Sequence, residues 1–157
     1  MSDQTIEDYL SNHPFFSGLD DNFLKFLADS ATELTIKKGD VLFRQGKPAD
    51  AFYLLRQGQI SIQVPALVGP SLEIQHLGQN QLLGWSWLIP PYRWNFLARA
   101  EEDSKLLQFD GNAILTRCEE DNQFGYELFK RFASLMSERL DAARQKMMDQ
   151  WNPPGFA

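Results

Sequence analysis

The sequence contains one cysteine and two histidines among its 157 residues. The single thiol, Cys118, excludes disulfides within the chain and clusters of thiolate ligands. The acidic residues 119–121 follow it, and their charges predict a raised thiol pKa and an inert cysteine. His13 and His76 lie in different predicted segments, so they do not form the histidine and carboxylate cluster of a β-roll metalloenzyme. Because no nucleophile motif accompanies either histidine, we expect a protein that is not an enzyme.

The sequence also lacks an excess of positive charge and any long apolar run. It has 15 Lys and Arg against 21 Asp and Glu, a net charge of −6. Proteins that bind nucleic acids concentrate positive charge instead. No apolar run approaches the roughly 20 residues that span a bilayer. The first ten residues, MSDQTIEDYL, are polar and acidic, which is unlike a signal peptide. We expect a cytoplasmic protein with neither a nucleic acid nor a membrane as partner.

Hydrophobic residues make up 43% of the chain and aromatic residues 13%, enough for the core of one domain over residues 1–157. Helical spacing predicts amino-terminal helices within 1–31, with Asp20 or Asp21 as a cap. Short apolar runs separated by turn residues at intervals of about 8–12 residues predict a β-sandwich or β-roll over 32–110. Helical spacing returns over 111–151, with one short helix and a long one from about Asn122.

One segment makes this pattern specific. From Gly39 to Gly58 the chain reads GDVLFRQGKPADAFYLLRQG, in which three glycines separate short apolar runs. Upstream, residues 13–19 read HPFFSGL. Together these features resemble the cyclic nucleotide-binding domain family, over residues 10 to 148. The resemblance implies a mainly β fold: an eight-stranded antiparallel jelly-roll, with flanking helices and a long carboxy-terminal helix.

In this family the phosphate is held by a turn glycine, a short helix and an arginine, and a glutamate accepts a hydrogen bond from the ribose. The resemblance aligns Gly84 with the glycine and Arg93 with the arginine, and Arg99 is a poorer match. Trp85 occupies the position of the glutamate, and its indole can only donate. The candidate ligand-binding residues, named here the cassette, are Gly84, Trp85, Ser86, Trp87, Leu88, Arg93 and Trp94.

The loss of the glutamate leaves three readings open. The site binds cyclic AMP or cyclic GMP weakly, it binds another small anion through Arg93 with tryptophans stacking on the ligand, or Trp85 and Trp87 fill the cavity. The resemblance therefore implies a regulatory sensor domain that signals through its last helix and needs no cofactor. The alternative is a ligand-free subunit for dimerisation or docking.

The long helix is the predicted output element. Its apolar residues recur at steps of three and four: Phe129, Phe132, Met136, Leu140, Ala143 and Met147. At 1.5 Å per residue the helix reaches about 42 Å, which exceeds the roughly 35 Å width of a compact body of this size. We expect its far half to overhang and to form a homodimer, as the resemblance implies; the alternative is that it folds back on its own roll. Transcription factors of the family carry a helix-turn-helix after this helix. We expect none here, and no effector is identified.

Overall fold

The structure, a computed structural model, describes residues 5–64 and 71–150. The last residue of the helical region predicted over 111–151 lies outside this range. The described helices are α1 Ile6–Ser11, α2 Asp21–Asp29, α3 Gly111–Glu120 and α4 Asn122–Gln150. The strands are β1 Ala31–Ile36, β2 Val41–Phe43, β3 Ala51–Gln57, β4 Ile60–Val64, β5 Leu72–Leu77, β6 Leu82–Leu83, β7 Leu97–Ala100 and β8 Ser104–Asp110.

The strands form two four-stranded antiparallel sheets. Their orders are β1-β8-β3-β6 and β2-β7-β4-β5. Apart from β4 and β5, which pair within one sheet, successive strands alternate between the two sheets. The apolar side chains of both sheets join one core cluster. The predicted eight-stranded antiparallel jelly-roll with flanking helices is therefore confirmed.

Side-chain caps explain where three helices begin. Thr5 accepts from the Asp8 N–H of α1, and Asp20 accepts from the Asn22 N–H of α2. Asp110, the last residue of β8, accepts from the Ala113 N–H of α3. Each cap satisfies an amide that lacks a partner within its helix. Asp20 is thus the cap that the sequence left undecided between two aspartates.

The segment between α1 and α2 is fastened to the roll and to α4. His13 Nδ1 accepts from the Phe15 N–H, and its Nε2 lies 2.6 Å from the Asn80 carbonyl oxygen. Arg131 of α4 donates to the Ser17 carbonyl oxygen at 2.9 Å. The contacts of His13 with Asn80 and of Arg131 with Ser17 join residues far apart in the chain, and the second fixes α4 at its amino-terminal half.

The far half of α4 does not overhang as expected, because β5 lies beside it. Gln75 donates from Nε2 to the Arg139 carbonyl oxygen at 3.2 Å, and Lys146 Nζ lies 3.5 Å from Glu73 Oε1. Polar pairing along β5 thus holds the helix against its own roll as far as Lys146. Within the two described ranges, none of the helices has the length and apolarity to cross a membrane.

The apolar stripe predicted on α4 divides between two faces of the helix. Phe132 is 1% exposed and packs edge-on against Phe52 and Trp87, so it belongs to the core and not to the free face. Met136 and Ala143 are half-buried. The exposed apolar residues of the helix are Tyr126, Phe129, Leu140, Met147 and Met148.

Candidate functional site

The cassette begins with a glycine that no other residue replaces easily. Gly84 has φ +95°, in the region that L-residues avoid. A Cβ at this position would lie 2.9 Å from Cη2 of Trp94. Gly84 therefore lets the chain turn away from β6 while the Trp94 ring lies directly against the backbone.

The middle of the cassette is a single turn of 3₁₀ helix, Ser86–Leu88, whose Trp87 and Leu88 side chains are buried. Trp87 is 2% exposed, stacks on Phe52 and donates from Nε1 to the Gly84 carbonyl oxygen at 3.2 Å. Its indole therefore contributes to the core. The Leu88 N–H donates to the Trp85 carbonyl oxygen at 3.0 Å. The backbone N–H groups of Ser86 and Trp87 retain the ligand role that the resemblance implies, and that role stays a prediction.

The two arginines considered from the sequence bond to loop carbonyls. Arg93 is exposed, and its Nη1 donates to the Gly46 carbonyl oxygen at 2.9 Å. Arg99 on β7 donates to the Gly39 carbonyl oxygen at 3.2 Å. Backbone bonds between Trp94 and residues 46–47 hold the same loop in place. In this structure Arg93 thus fastens the cassette to the β2–β3 loop.

Trp94, the last cassette residue, fills part of the roll interior. Its ring stacks on Phe43 with the ring centroids 3.8 Å apart and the planes inclined by 10°. Only 5% of Trp94 is exposed. This stack lies beside Tyr53, whose pKa is raised to about 12 by burial and, secondarily, by the charge of Asp50. The interior next to Gly84 is consequently aromatic, with little polar surface.

A pocket of about 290 Å³ opens between the roll, the cassette and α4. The roll lines it with Phe43, Ile62, Ile74, Gln75, Leu83 and Phe96, and the cassette segment with Gly84, Trp85, Ser86, Trp94 and Asn95. The remaining lining residues come from α4: Met136, Arg139, Leu140 and Ala143. Trp87, Leu88 and Arg93 are not among them, so the structure brings only part of the predicted site together around this space.

Arg139 is the charged residue of this pocket. It is 9% exposed, and its Nη2 donates to the Leu82 carbonyl oxygen. Burial lowers the pKa of the guanidinium to about 10, and the nearby Glu138 offsets part of that shift. Within residues 5–64 and 71–150, no carboxylate lies at ion-pair distance from it (the pairs formed are all elsewhere). The pocket thus combines apolar walls with one buried positive charge.

Arg139 was not among the candidate site residues, since a charged residue of a long helix is ordinarily expected on an exposed face. A signal for a different position was available, because Phe124, Leu128, Phe132, Leu135 and Arg139 recur at steps of four, four, three and four. That spacing places the arginine on the buried stripe of α4. Gln75 and Asn95 carried no comparable signal, since only the tertiary fold brings strand β5 and the cassette beneath the helix.

Comparison with known proteins gives one family match, to the cyclic nucleotide-binding domain, over residues 33–121. Three solved structures illustrate the likeness. A putative cyclic nucleotide-binding protein from Geobacter metallireducens GS-15 is 24% identical with a TM-score of 0.78, covering 89% of this chain and 99% of that one.

Two further structures show the same likeness. The sensor domain of the regulator DNR from Pseudomonas aeruginosa is 24% identical with a TM-score of 0.72, and the match covers 90% of this chain and 95% of that one. The catabolite activator protein of Thermus thermophilus is 23% identical with a TM-score of 0.69, and the match covers 85% of this chain and 61% of that one. At these identities the likeness shows the fold.

Proposed function

Because this chain belongs to the cyclic nucleotide-binding domain family, we propose that it is a non-enzymatic sensor that binds a small anionic ligand and signals through α4. The observation that carries the proposal is the pocket itself, which is lined jointly by the cassette and by Met136 to Ala143 of α4. A ligand in this space would contact the roll and the helix at once. It would therefore stabilise the helix positions that suit it, which is what a two-state switch requires.

The first test is a thermal-shift screen followed by calorimetry, using cyclic AMP, cyclic GMP and a panel of small carboxylates. An Ala143→Trp variant adds a large ring at a residue that lines the pocket, and Ala142→Trp places the same ring on the exposed neighbouring position, which does not line it. We expect at least one compound to stabilise the wild type and Ala142→Trp, and to have no effect on Ala143→Trp. Binding that survives in Ala143→Trp, or no binding by any compound, would contradict the sensor.

The cyclic nucleotides need one further variant. In the family resemblance the phosphate lies on Arg93, so Arg93→Ala should abolish their binding if the site works in that way. A charged hydrogen bond contributes roughly 1.5–3 kcal/mol, which corresponds to an affinity change of about 10- to 150-fold. Cyclic nucleotide binding that is unchanged in Arg93→Ala would place the phosphate elsewhere in the pocket.

Signalling through α4 has a direct readout. Gln75 and Lys146 hold the far half of the helix against β5, so a bound ligand should change how often that half opens. Hydrogen–deuterium exchange over residues 136–146 should slow when a ligand from the screen binds. Exchange that changes only in the roll would mean that the helix is not the output.

We also propose a homodimer through the free face of α4. Residues 126, 129, 133, 136, 140, 143 and 147 are Tyr, Phe, Ala, Met, Leu, Ala and Met, which is the alternation of three and four that forms a coiled-coil seam. Leu140 is 71% exposed and Met147 59%, and apolar side chains in a row gain stability when a second helix covers them.

Sedimentation of a double variant, Phe129→Glu with Met147→Glu, tests the dimer. Neither residue lines the pocket, so ligand binding serves as a check on folding. Gln145→Glu adds a carboxylate on the opposite, exposed face as the matched control. We expect a dimer for the wild type and the control and a monomer for the double variant. A wild-type monomer at tens of micromolar would refute the seam.

The stacked Phe43 and Trp94 rings favour a second candidate, a docking subunit without a ligand. They occupy interior space beside Gly84, as expected if aromatic residues had replaced a ligand. In that case the screen would find no compound, while the seam variants would still disrupt the dimer. The two experiments therefore separate a sensor from a subunit that only assembles.

A further inference from the structure

The pocket proposed above as the sensor site is lined by Arg139, which forms no ion pair with a carboxylate of the described residues. Arg139 reaches the pocket from α4 and donates one hydrogen bond, to the Leu82 carbonyl oxygen. Arg139 lines this pocket and also borders the two grooves beside the helix, whereas its exposed neighbour Glu138 lines the two grooves but not this pocket. A buried charge without a partner is costly, and an anion that enters beside it recovers part of that cost.

The chemistry of arginine narrows the class of anion. A guanidinium presents its N–H donors in a planar fork that matches the two oxygens of a carboxylate. One Nη of Arg139 is engaged by Leu82, which leaves the other side of the fork for a ligand. Gln75, Ser86 and Asn95 also line the pocket. They are neutral groups that can accept or donate hydrogen bonds without adding charge.

The walls and the size of the pocket indicate what the uncharged part of the ligand is. Trp85, Trp94 and Phe96 provide aromatic surface, and Ile62 and Leu83 provide aliphatic surface. Its volume of about 290 Å³ is about twice the ~150 Å³ of an apolar cavity that holds benzene, and it lies near the lower end of the range for ligand pockets, ~300–1,000 Å³. A single substituted ring fits this space better than a base, a ribose and a phosphate together.

We infer that this pocket binds an aromatic monocarboxylate of about one ring, with the carboxylate on Arg139 and the ring between Trp85, Trp94 and the aliphatic wall. This inference rests on the proposed sensor function and assigns its ligand class. It moves the anion from Arg93, at the edge of the cassette, to a residue on the output helix. The ligand's charge then interacts directly with α4, so binding and helix position are linked through one side chain.

The test compares phenylacetate with phenylacetamide, which has nearly the same shape and no charge. Both are titrated into the wild-type chain, and binding is followed by tryptophan fluorescence and by protein NMR. We expect phenylacetate to bind at least about 10-fold more tightly, the effect of one charge-assisted hydrogen bond. This comparison needs no variant, so a folding defect cannot obscure it. Equal affinities, or no binding of phenylacetate, would overturn the inference.

Three variants locate the charge. Arg139→Gln keeps a polar side chain that can donate a hydrogen bond and removes the charge, so the preference for the acid should disappear. Arg139→Lys keeps the charge without the fork and should retain part of the preference. Arg93→Gln is the matched control outside the pocket, and its preference should equal that of the wild type. A preference lost in Arg93→Gln and kept in Arg139→Gln would place the anion at Arg93.

The outcomes separate this inference from the sensor proposal. If cyclic nucleotides bind with dependence on Arg93 while phenylacetate does not bind, the sensor stands and the ligand class is wrong. If phenylacetamide binds as well as phenylacetate and Ala143→Trp blocks both, the pocket is a ligand site that does not select charge. If neither these probes nor the screened compounds bind, both proposals fail.

Discussion

Trp94 lies directly against Gly84, so that a Cβ on Gly84 would lie 2.9 Å from Cη2 of the indole. The indole in turn stacks on Phe43 and cannot move away without disrupting that stack. Gly84→Ala should therefore destabilise the protein through both its backbone and its side chain. The positive φ of +95° costs about 1–2 kcal/mol for an L-residue, and the forced contact adds about 1–3 kcal/mol.

Gly46→Ala is the matched control for this prediction. Gly46 has φ +84°, and a Cβ there would meet nothing within 4 Å. Urea unfolding should show the backbone cost in both variants and the packing cost in Gly84→Ala alone. If the two variants lose the same free energy of unfolding, the Trp94 ring moves away from residue 84 without a packing cost.

Phe132 is the residue through which α4 contacts the aromatic core. Its ring meets Phe15, Phe52 and Trp87 edge-on, at centroid distances of 4.9, 5.1 and 5.4 Å. Phe132→Ala should lower the free energy of unfolding by about 3–5 kcal/mol, since it leaves a cavity in a packed core. The exposed Phe129 lies three residues earlier on the helix.

Phe129→Ala is therefore the control, measured by urea unfolding at a concentration where sedimentation shows a monomer. Phe129→Ala should lower the free energy of unfolding by no more than about 1 kcal/mol, as for other surface positions. A loss in Phe129→Ala as large as that in Phe132→Ala would contradict the division of the stripe into a core face and a free face.

The division of α4 into a core face and a free face also shows which features of the fold could be predicted from the sequence and which could not. Local signals in the sequence predict the roll and the helix before it: turn glycines such as Gly39 and Gly46, short apolar runs, and a helix cap at Asp20. These act within a few residues, so the strands and helices could be predicted with nearly the right bounds. The long helix could also be predicted from its apolar steps. The sequence did not indicate which of those apolar residues face the core. Phe129 and Phe132 are the same residue type on one helix, and they differ only in the neighbours that the fold places around them.

The site depended on contacts between distant parts of the chain. Arg93 was chosen because it lies nine residues after Gly84, within one family pattern, and the structure pairs it with the Gly46 carbonyl oxygen. Arg139 lies 55 residues after Gly84 and reaches the pocket because β5 holds α4 over the roll. A periodic pattern indicates that a residue is on a buried stripe. It does not indicate what that stripe covers.

Cys118 should be unreactive in the folded protein. Burial raises the pKa of its thiol to about 11, and the charges of Glu119 and Asp121 contribute to the same direction, as the acidic neighbours led us to expect. Compared with the ordinary value of 9.0, two pKa units lower the thiolate fraction about 100-fold at pH 8. Reaction with a disulfide reagent should be at least that much slower than in urea-unfolded protein. Comparable rates would mean that the α3–α4 corner opens readily.

His13 should make stability depend on pH. Its Nδ1 accepts from the Phe15 N–H while its Nε2 lies 2.6 Å from the Asn80 carbonyl oxygen, an arrangement that requires the neutral ring with its proton on Nε2. Burial lowers the pKa of His13 below its ordinary 6.5, and the bond to Asn80 offsets part of that shift. The unfolded chain therefore takes up a proton at a higher pH than the folded chain does.

It follows that the free energy of unfolding falls as the pH drops below about 6.5, and levels off once the pH passes the lower, folded pKa. Urea midpoints between pH 7.5 and 5 should show a steeper loss for the wild type than for His13→Gln, which lacks the titrating ring. Both proteins contain the same carboxylates, so the contribution of the carboxylates to the pH dependence cancels when the two sets of midpoints are subtracted. If His13→Gln and the wild type lose stability in parallel, the neutral ring is not what the fold requires.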